Sequence, residues 1–129
     1  MAGRYDKYDP ISGGFRAALA DDTDAADTPI GVGLDSSGEI VPGAGQTGVV
    51  GVLILTTDKK AGDRVDVMTA GECVEMANLA AGKPVCADTT SGALNDVTPS
   101  ATKAPIGYTV EATRLIVRKG VAPFDAAGA

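Results

Sequence analysis

The chain alternates short apolar segments with clusters of Gly, Pro, Asp and Ser. The apolar segments are rich in Val, Ile and Leu, and short segments of this kind between turn residues are typical of strands. The run at 48–56 is continuously apolar, which predicts a buried strand. The pattern therefore predicts strands at 29–34, 39–41, 48–56, 65–68, 72–76, 85–87, 106–110 and 114–118.

Turn sequences separate these predicted strands. The sequence Ala-Gly-Asp-Arg-Val at 61–65 returns as Ala-Gly-Lys-Pro-Val at 81–85. In both copies a glycine precedes a Val that opens an apolar segment, so each copy predicts a turn that leads into a strand. The segment 69–71 separates two predicted strands with a glycine, and it predicts a hairpin between 65–68 and 72–76.

A weaker similarity relates Pro-Ile-Gly-Val at 29–32 to Pro-Ile-Gly-Tyr at 105–108, and an Ile-Val pair follows each segment. Two similar strand pairs would produce this similarity. Chance would also produce it in a chain that is rich in Gly and Val. The sequence leaves both interpretations open.

The first 28 residues differ from the rest of the chain. They contain alternating charged and aromatic residues, a double glycine at 13–14 and an aspartate-rich stretch at 21–27. Residues 1–28 as a whole lack the alternation of a strand and the periodicity of a long helix, although 15–20 is compatible with a short helix. We therefore expect an extended arm over 1–28, mobile in the free subunit, a β-domain over 29–118 and a loose tail over 119–129.

Composition and charge indicate which classes of partner this β-domain can have. Aromatic residues make up only 4% of the chain, so the core must consist mainly of small aliphatic side chains, and we expect subunit partners to add stability. The net charge of −6 argues against nucleic acid and against an anionic membrane surface. The longest apolar run, 49–55, is too short to span a bilayer.

No sequence motif indicates catalysis. The chain has no histidine, which excludes Ser-His-Asp and Cys-His sites. Glycines at 43, 45 and 48 match a dinucleotide-binding spacing, but an apolar strand follows them where such a site needs a helix. The aspartates at 21–27 lack the spacing of a calcium loop. We expect a protein that is not an enzyme and that holds no cofactor or metal.

The two cysteines, Cys73 and Cys86, are too few for a disulfide scaffold, and a zinc site would lack histidine ligands. Packing as small apolar groups is the favoured interpretation. A disulfide would require adjacent strands to bring the two residues together.

The arm carries the residue types that most often anchor interfaces. It holds three of the five aromatic residues of the chain, together with basic residues close to them. Aromatic and Arg side chains contribute most strongly to binding at protein interfaces. A leader that covers its own domain is the alternative, but we favour partner binding. The predicted contact residues are Arg4, Tyr5, Lys7, Tyr8, Phe15 and Arg16.

The order of these elements resembles the small capsid decoration (cement) proteins of tailed bacteriophages. The resemblance lies in an Ala-Gly-Asp-x-Val turn and strand, an Ala-Gly-x-Pro-Val turn, an acidic Gly-rich turn and two late apolar strands. In this sequence the matching segments are 61–67, 81–85, 88–94 and 105–117, and the first residues of the arm resemble N-termini of phage head proteins.

This resemblance implies an all-β fold, a small Gly-rich domain of β-barrel or β-sandwich type with an extended N-terminal arm. It implies a structural protein that is made in the host cytoplasm and stabilises the outer surface of a phage head. The implied partners are the major capsid protein and other copies of the chain, as a homotrimer on the capsid, with no nucleic acid and no membrane. Another virion β-module, of tail or baseplate, or a small binding domain is the alternative.

Overall fold

The computed structural model describes residues 13–118, which form two five-stranded antiparallel sheets and one turn of 3-10 helix at Ala25–Asp27. The predicted all-β class is confirmed. The first sheet contains β1 (Gly14–Ala18), β2 (Ile30–Leu34), β3 (Ile40–Pro42), β4 (Gly51–Leu53) and β5 (Arg64–Met68). The second contains β6 (Ala70–Cys73), β7 (Pro84–Asp88), β8 (Leu94–Asn95), β9 (Lys103–Thr109) and β10 (Leu115–Arg118).

The two sheets share one topology. The strand order is β1-β5-β4-β2-β3 in the first sheet and β6-β10-β9-β7-β8 in the second. When the strands are numbered within each sheet in chain order, both sheets have the order 1-5-4-2-3. Each sheet therefore contains one continuous half of the described chain, and Thr69 joins the halves.

The sequence similarities noted above do not follow this topological repeat. The segments 29–32 and 105–108 fall on β2 and β9, and each strand pairs with the strand that carries the Ile-Val pair, β3 or β10. Two similar strand pairs therefore exist. They occupy different positions in the repeat, because β2 corresponds to β7 and not to β9.

Both Ala-Gly turns lead into strands, as predicted. Gly62 and Gly82 have positive φ angles of 91° and 66°, which glycine adopts without steric strain. Each glycine N–H extends an antiparallel ladder, with Gly62 N donating to Leu19 O at 2.8 Å and Gly82 N to Thr109 O at 3.2 Å. β5 and β7 begin two residues after these glycines.

An aspartate anchors the same hairpin in each half. The Oδ1 atom of Asp35 accepts hydrogen bonds from the N–H groups of residues 37 and 39, both at 2.9 Å. The Oδ1 atom of Asp88 accepts from residues 90 and 91 at 2.8 and 3.0 Å. These side chains stabilise the β2–β3 and β7–β8 turns by binding the turn backbone. Asp88 also pairs with Lys103 Nζ at 2.7 Å.

Two apolar clusters form the core. The first lies within the first half, and the second contains the core of the second half together with Val49 and Val52 of the first. Val52 and Leu53 are adjacent in β4 and belong to different clusters, so β4 is buried on both faces as its continuous apolar character predicted. The clusters are Leu19, Val32, Ile40, Leu53, Leu55, Val65 and Val67, and Val49, Val52, Cys73, Val85, Ala87, Ala104, Ile106, Leu115 and Val117.

Backbone contacts at glycine join the two halves. Gly31 N donates to Gly92 O at 2.8 Å, and Ala44 N donates to Thr89 O at 2.9 Å. A Cβ atom on Gly31 would lie 2.3 Å from the Cβ of Ala87, a distance that real Cβ atoms do not reach. β2 can therefore approach β7 this closely only because residue 31 has no side chain.

The predicted hairpin between 65–68 and 72–76 is wrong. β5 belongs to the first sheet, whereas β6 pairs with β10 in the second, so Thr69 crosses between sheets. Val65 and Val67 pack in the first cluster, and Cys73 packs in the second. The two strands thus bury their apolar side chains in different core clusters. A glycine-containing turn can connect strands of two different sheets as well as the two strands of a hairpin.

The predicted arm over 1–28 differs from the described structure between residues 13 and 28. Gly14–Ala18 is an edge strand along β5, not a short helix, and Leu19 is only 2% exposed. The loop that follows also packs, since Asp22 Oδ1 accepts from Ala61 N and Asp58 Oδ1 accepts from Ala25 N, both at 2.9 Å. The partners of this segment are Ile40 and residues within 55–70, far along the chain, so local composition did not reveal the pairing.

We predict that Gly31→Ala will lower the free energy of unfolding by about 1–3 kcal/mol, the usual cost of overpacking a closely packed contact. The added methyl group must push β2 away from Ala87 and break the adjoining backbone hydrogen bonds. Urea unfolding measures the loss. Gly38→Asn is the control, because residue 38 has open space around it and Asn tolerates its φ angle of 78°. Equal stability of Gly31→Ala and the wild type would contradict this account.

We predict that acid destabilises the protein partly through Asp88. The hydrogen bond from Lys103 and those from the turn N–H groups hold the pKa of the Asp88 carboxyl far below its usual range. This contribution to stability is complete above the unfolded carboxyl pKa of about 4 and is lost as the pH falls through the folded value. Asp88→Asn should therefore flatten the decline of the urea midpoint below about pH 4. Asp27→Asn, in the exposed 3-10 turn, should keep the wild-type slope, and a wild-type slope in Asp88→Asn would refute the prediction.

Candidate functional site

The predicted contact residues divide into two groups. Arg4, Tyr5, Lys7 and Tyr8 lie outside the described residues, so their role stays a prediction. Phe15 and Arg16 are neighbours in the edge strand β1, where Arg16 is exposed and Phe15 packs partly against the first core cluster. Both line a groove on the first sheet, which is the candidate functional site.

This groove is formed by β1, β5 and β4 and has a volume of about 660 Å³. Val52 and Val67 are buried in the core clusters, whereas the neighbouring Ile54 is 40% exposed. The groove can therefore bury apolar side chains of a partner, which is the main source of affinity at such surfaces. The lining residues are Gly13, Gly14, Phe15, Arg16, Val52, Ile54, Asp66, Val67, Met68 and Ala70.

A bidentate ion pair adds a polar element to the groove. Arg16 faces Asp66 across the β1–β5 ladder, with Nε to Oδ1 at 3.0 Å and Nη2 to Oδ2 at 3.3 Å. The side chains are 50% and 55% exposed, so the pair contributes about 1 kcal/mol or less to stability. Its geometry holds the guanidinium in place, which reduces the side-chain entropy that a partner contact would otherwise cost.

Both ends of the described chain meet at this groove. The carbonyl of Gly13 accepts hydrogen bonds from Thr69 N at 3.0 Å and Ala70 N at 3.3 Å. Arg118, the last described residue, pairs with the same Ala70. Gly13 and Arg118, the two ends of the described chain, therefore lie at one corner next to the groove.

Sequence reasoning identified Phe15 and Arg16 but missed Asp66, Ile54 and Met68. Asp66 lies fifty residues beyond Arg16 in the chain, and only the strand register brings the two together. The charge of Asp66 between two buried valines was the one local signal available.

The other candidate chemistries have structural roles. Among residues 13–118 no group of three or more His, Cys, Asp or Glu side chains could hold a metal ion. The pKa of Asp22 is lowered chiefly by its hydrogen bond from Ala61 N, so this aspartate stabilises a loop. Gly43 and Gly45 form the turn after β3, and β4 follows them rather than a helix.

Both cysteines are buried thiols, in agreement with the packing interpretation. Burial raises the pKa of the Cys73 thiol, which disfavours its reactive thiolate form. The Cys86 thiol donates to the carbonyl of Val97 at 3.2 Å. In the part of the chain that the structure describes, no helix is long and apolar enough to span a membrane.

Comparison with known proteins shows similarity in fold. No protein-family model matches the chain, and no curated protein matches it. Among solved structures, a chain of Mycobacterium phage Patience is similar, with a TM-score of 0.70 and 21% sequence identity. The match covers 89% of this chain and 95% of that chain. The two proteins therefore share an all-β fold over nearly their whole length.

We predict that a deletion that ends before Gly13 and one that extends beyond it will differ sharply in their effect on stability. Deleting residues 2–12 leaves every described strand intact, so cooperative unfolding should persist. Deleting residues 2–20 removes β1 and the buried Leu19, and burial of one such Leu is worth about 2–5 kcal/mol. The longer deletion should therefore unfold at a much lower urea concentration or fail to fold. Equal midpoints for both truncations would show that β1 does not stabilise the sheet.

Proposed function

We propose that this chain is a structural protein of a phage particle that decorates the outer surface of the capsid shell. The observation that carries the proposal is the similarity to the Patience chain. Because the match covers 95% of that chain, the shared fold accounts for nearly all of it. The resemblance of the turn-and-strand order to decoration proteins supports the same conclusion from the sequence.

The groove on the first sheet is the proposed contact with the major capsid protein. It combines apolar walls with a fixed Arg16–Asp66 pair, and interfaces typically combine a buried apolar centre with a polar rim. Gly13, the first described residue, lines the groove, and in this proposal Arg4, Tyr5, Lys7 and Tyr8 would extend the contact across the neighbouring shell surface. Many copies on one shell would make modest individual contacts effective.

Binding of this kind would stabilise the shell without catalysis. A protein that binds the intact shell better than its separated subunits shifts the equilibrium toward the shell. We propose further that the copies act as homotrimers on the capsid, without nucleic acid or membrane as partners. A tail or baseplate module is the second candidate, because the likeness to a phage chain fits either location.

The test is decoration of purified shells that lack this protein. We predict that deletion of residues 2–12 and, separately, Ile54→Asp will weaken binding, because each removes part of the proposed contact. Loss of a central interface side chain costs about 2 kcal/mol or more, which is about thirtyfold in affinity. Occupancy is measured by co-sedimentation at increasing protein concentration and by particle imaging.

Val97→Asp is the matched control. Val97 is 37% exposed, close to the 40% of Ile54, but it lies in the second half and outside the groove. The control should decorate shells like the wild type. Wild-type binding by Ile54→Asp would remove the groove from the proposal, and wild-type binding by the truncated protein would remove residues 2–12 from it. A few copies per virion would indicate the tail or baseplate, and failure of the wild-type protein to associate with virions would refute the phage-structural function.

A further inference from the structure

A second exposed surface lies on the second sheet and consists of other residues than those that line the groove. Three of its side chains are large, apolar and exposed, namely Val74 at 61%, Tyr108 at 46% and Val110 at 44%. Single exposed apolar residues are ordinary, but a group of them on one face marks an interaction site.

Strand register places Tyr108 in a row of residues across this sheet. Tyr108 is paired with Ile116 of β10 and with Pro84 of β7, and Ile116 is paired with Glu72 of β6, so all four form one row across the sheet. Val110 and Val74 lie just beyond the ends of β9 and β6. Val110 N donates to Arg114 O at 3.1 Å, and Val74 follows Cys73, which is paired with Leu115. We call this surface the Tyr108 patch; it comprises Glu72, Val74, Pro84, Tyr108, Val110, Arg114 and Ile116.

Thr109 fixes the outward direction of its neighbours. It is 2% exposed, its Oγ1 donates to Ala80 O at 2.6 Å, and it accepts from Lys83 N at 3.0 Å. Because Thr109 points inward and is held there, the flanking Tyr108 and Val110 must face solvent. The exposure of the patch is thus imposed by the fold of the second half.

Arg114 supplies a polar group at the edge of the patch. Its Nη1 atom lies 3.1 Å from Glu111 Oε1, and its Nε atom lies 3.6 Å from Glu72 Oε2. These carboxylates hold the guanidinium at the end of the row. Tyr and Arg are the residue types most enriched among side chains that dominate binding energy, and here they share one small surface.

We propose that the Tyr108 patch binds a second copy of this chain. The protein has a net charge of −6, so most of its surface repels another copy. The patch and its border are balanced, with Arg114 and Arg118 against Glu72 and Glu111. When the same patch is used on both copies, Arg114 of one copy can face a carboxylate of the other while the apolar side chains pack between them.

The size of the patch sets the expected strength of this association. A stable interface buries about 800 Å² on each partner and involves about 20–30 residues a side, whereas the patch has seven. We therefore expect a reversible, concentration-dependent association with a Kd of about 10–100 µM. This inference concerns the free protein, and it stands whether or not the protein decorates a capsid.

Sedimentation of the full chain over a range up to about 1 mM tests the inference. The wild type should shift from monomer to a larger species, and Tyr108→Asp should remain monomeric with the thermal stability of the wild type. Val97→Asp is the matched control, because it places the same charge on an exposed apolar residue outside both the patch and the groove, and it should associate normally. Val110→Lys, in the turn after β9, provides a second patch variant if Tyr108→Asp fails to fold.

Two results would overturn the inference. One is a wild type that stays monomeric over the whole range. The other is association that both folded patch variants retain. If Tyr108→Asp instead lowers shell decoration and leaves sedimentation unchanged, the patch binds the shell and not a second copy.

Discussion

The absence of a side chain at Gly31 is the constraint on which the arrangement of the two halves depends. Without a Cβ at this position, β2 approaches Ala87 closely enough for the backbone of one half to bond that of the other at Gly92. The same approach brings Val49 and Val52 of the first half into the core of the second. A chain with few aromatic residues can bury enough surface only if its sheets pack closely, and glycine at the contact permits this.

Repetition of one strand order in the two halves explains where the proposed surfaces lie. Leu53 pairs with Val67 in the first half as Gly107 pairs with Val117 in the second. The next residues, Ile54 and Tyr108, therefore occupy corresponding places, and both are exposed apolar side chains. The same place in the repeated strand order is thus occupied by an exposed apolar side chain in each half. In the first half this is Ile54 of the groove, and in the second half it is Tyr108 of the patch. Different neighbours, Asp66 and Ile116, make the two surfaces chemically distinct.

Only the part of the candidate site that stands out in local composition could be predicted from the sequence. Phe15 and Arg16 stood out because aromatic and basic residues are concentrated near the start of a chain that is otherwise poor in aromatics. Their partners Asp66 and Ile54 come from strands that follow much later, and no local pattern specifies which strands become neighbours. The meeting of Gly13 and Arg118 at Ala70 is likewise a consequence of strand pairing and not of any motif.

The sequence by itself determined the all-β class, most strand positions and the turns that open β5 and β7, because glycine, proline and aspartate act on the backbone within a few residues. Only the tertiary structure decided which sheet each strand joins. It converted the expected hairpin at Thr69 into a crossing and placed Gly14–Ala18 along β5. The physical reason is that strand pairing is settled by burial against distant segments, so short strands with similar turns can pair in several ways until the core selects one.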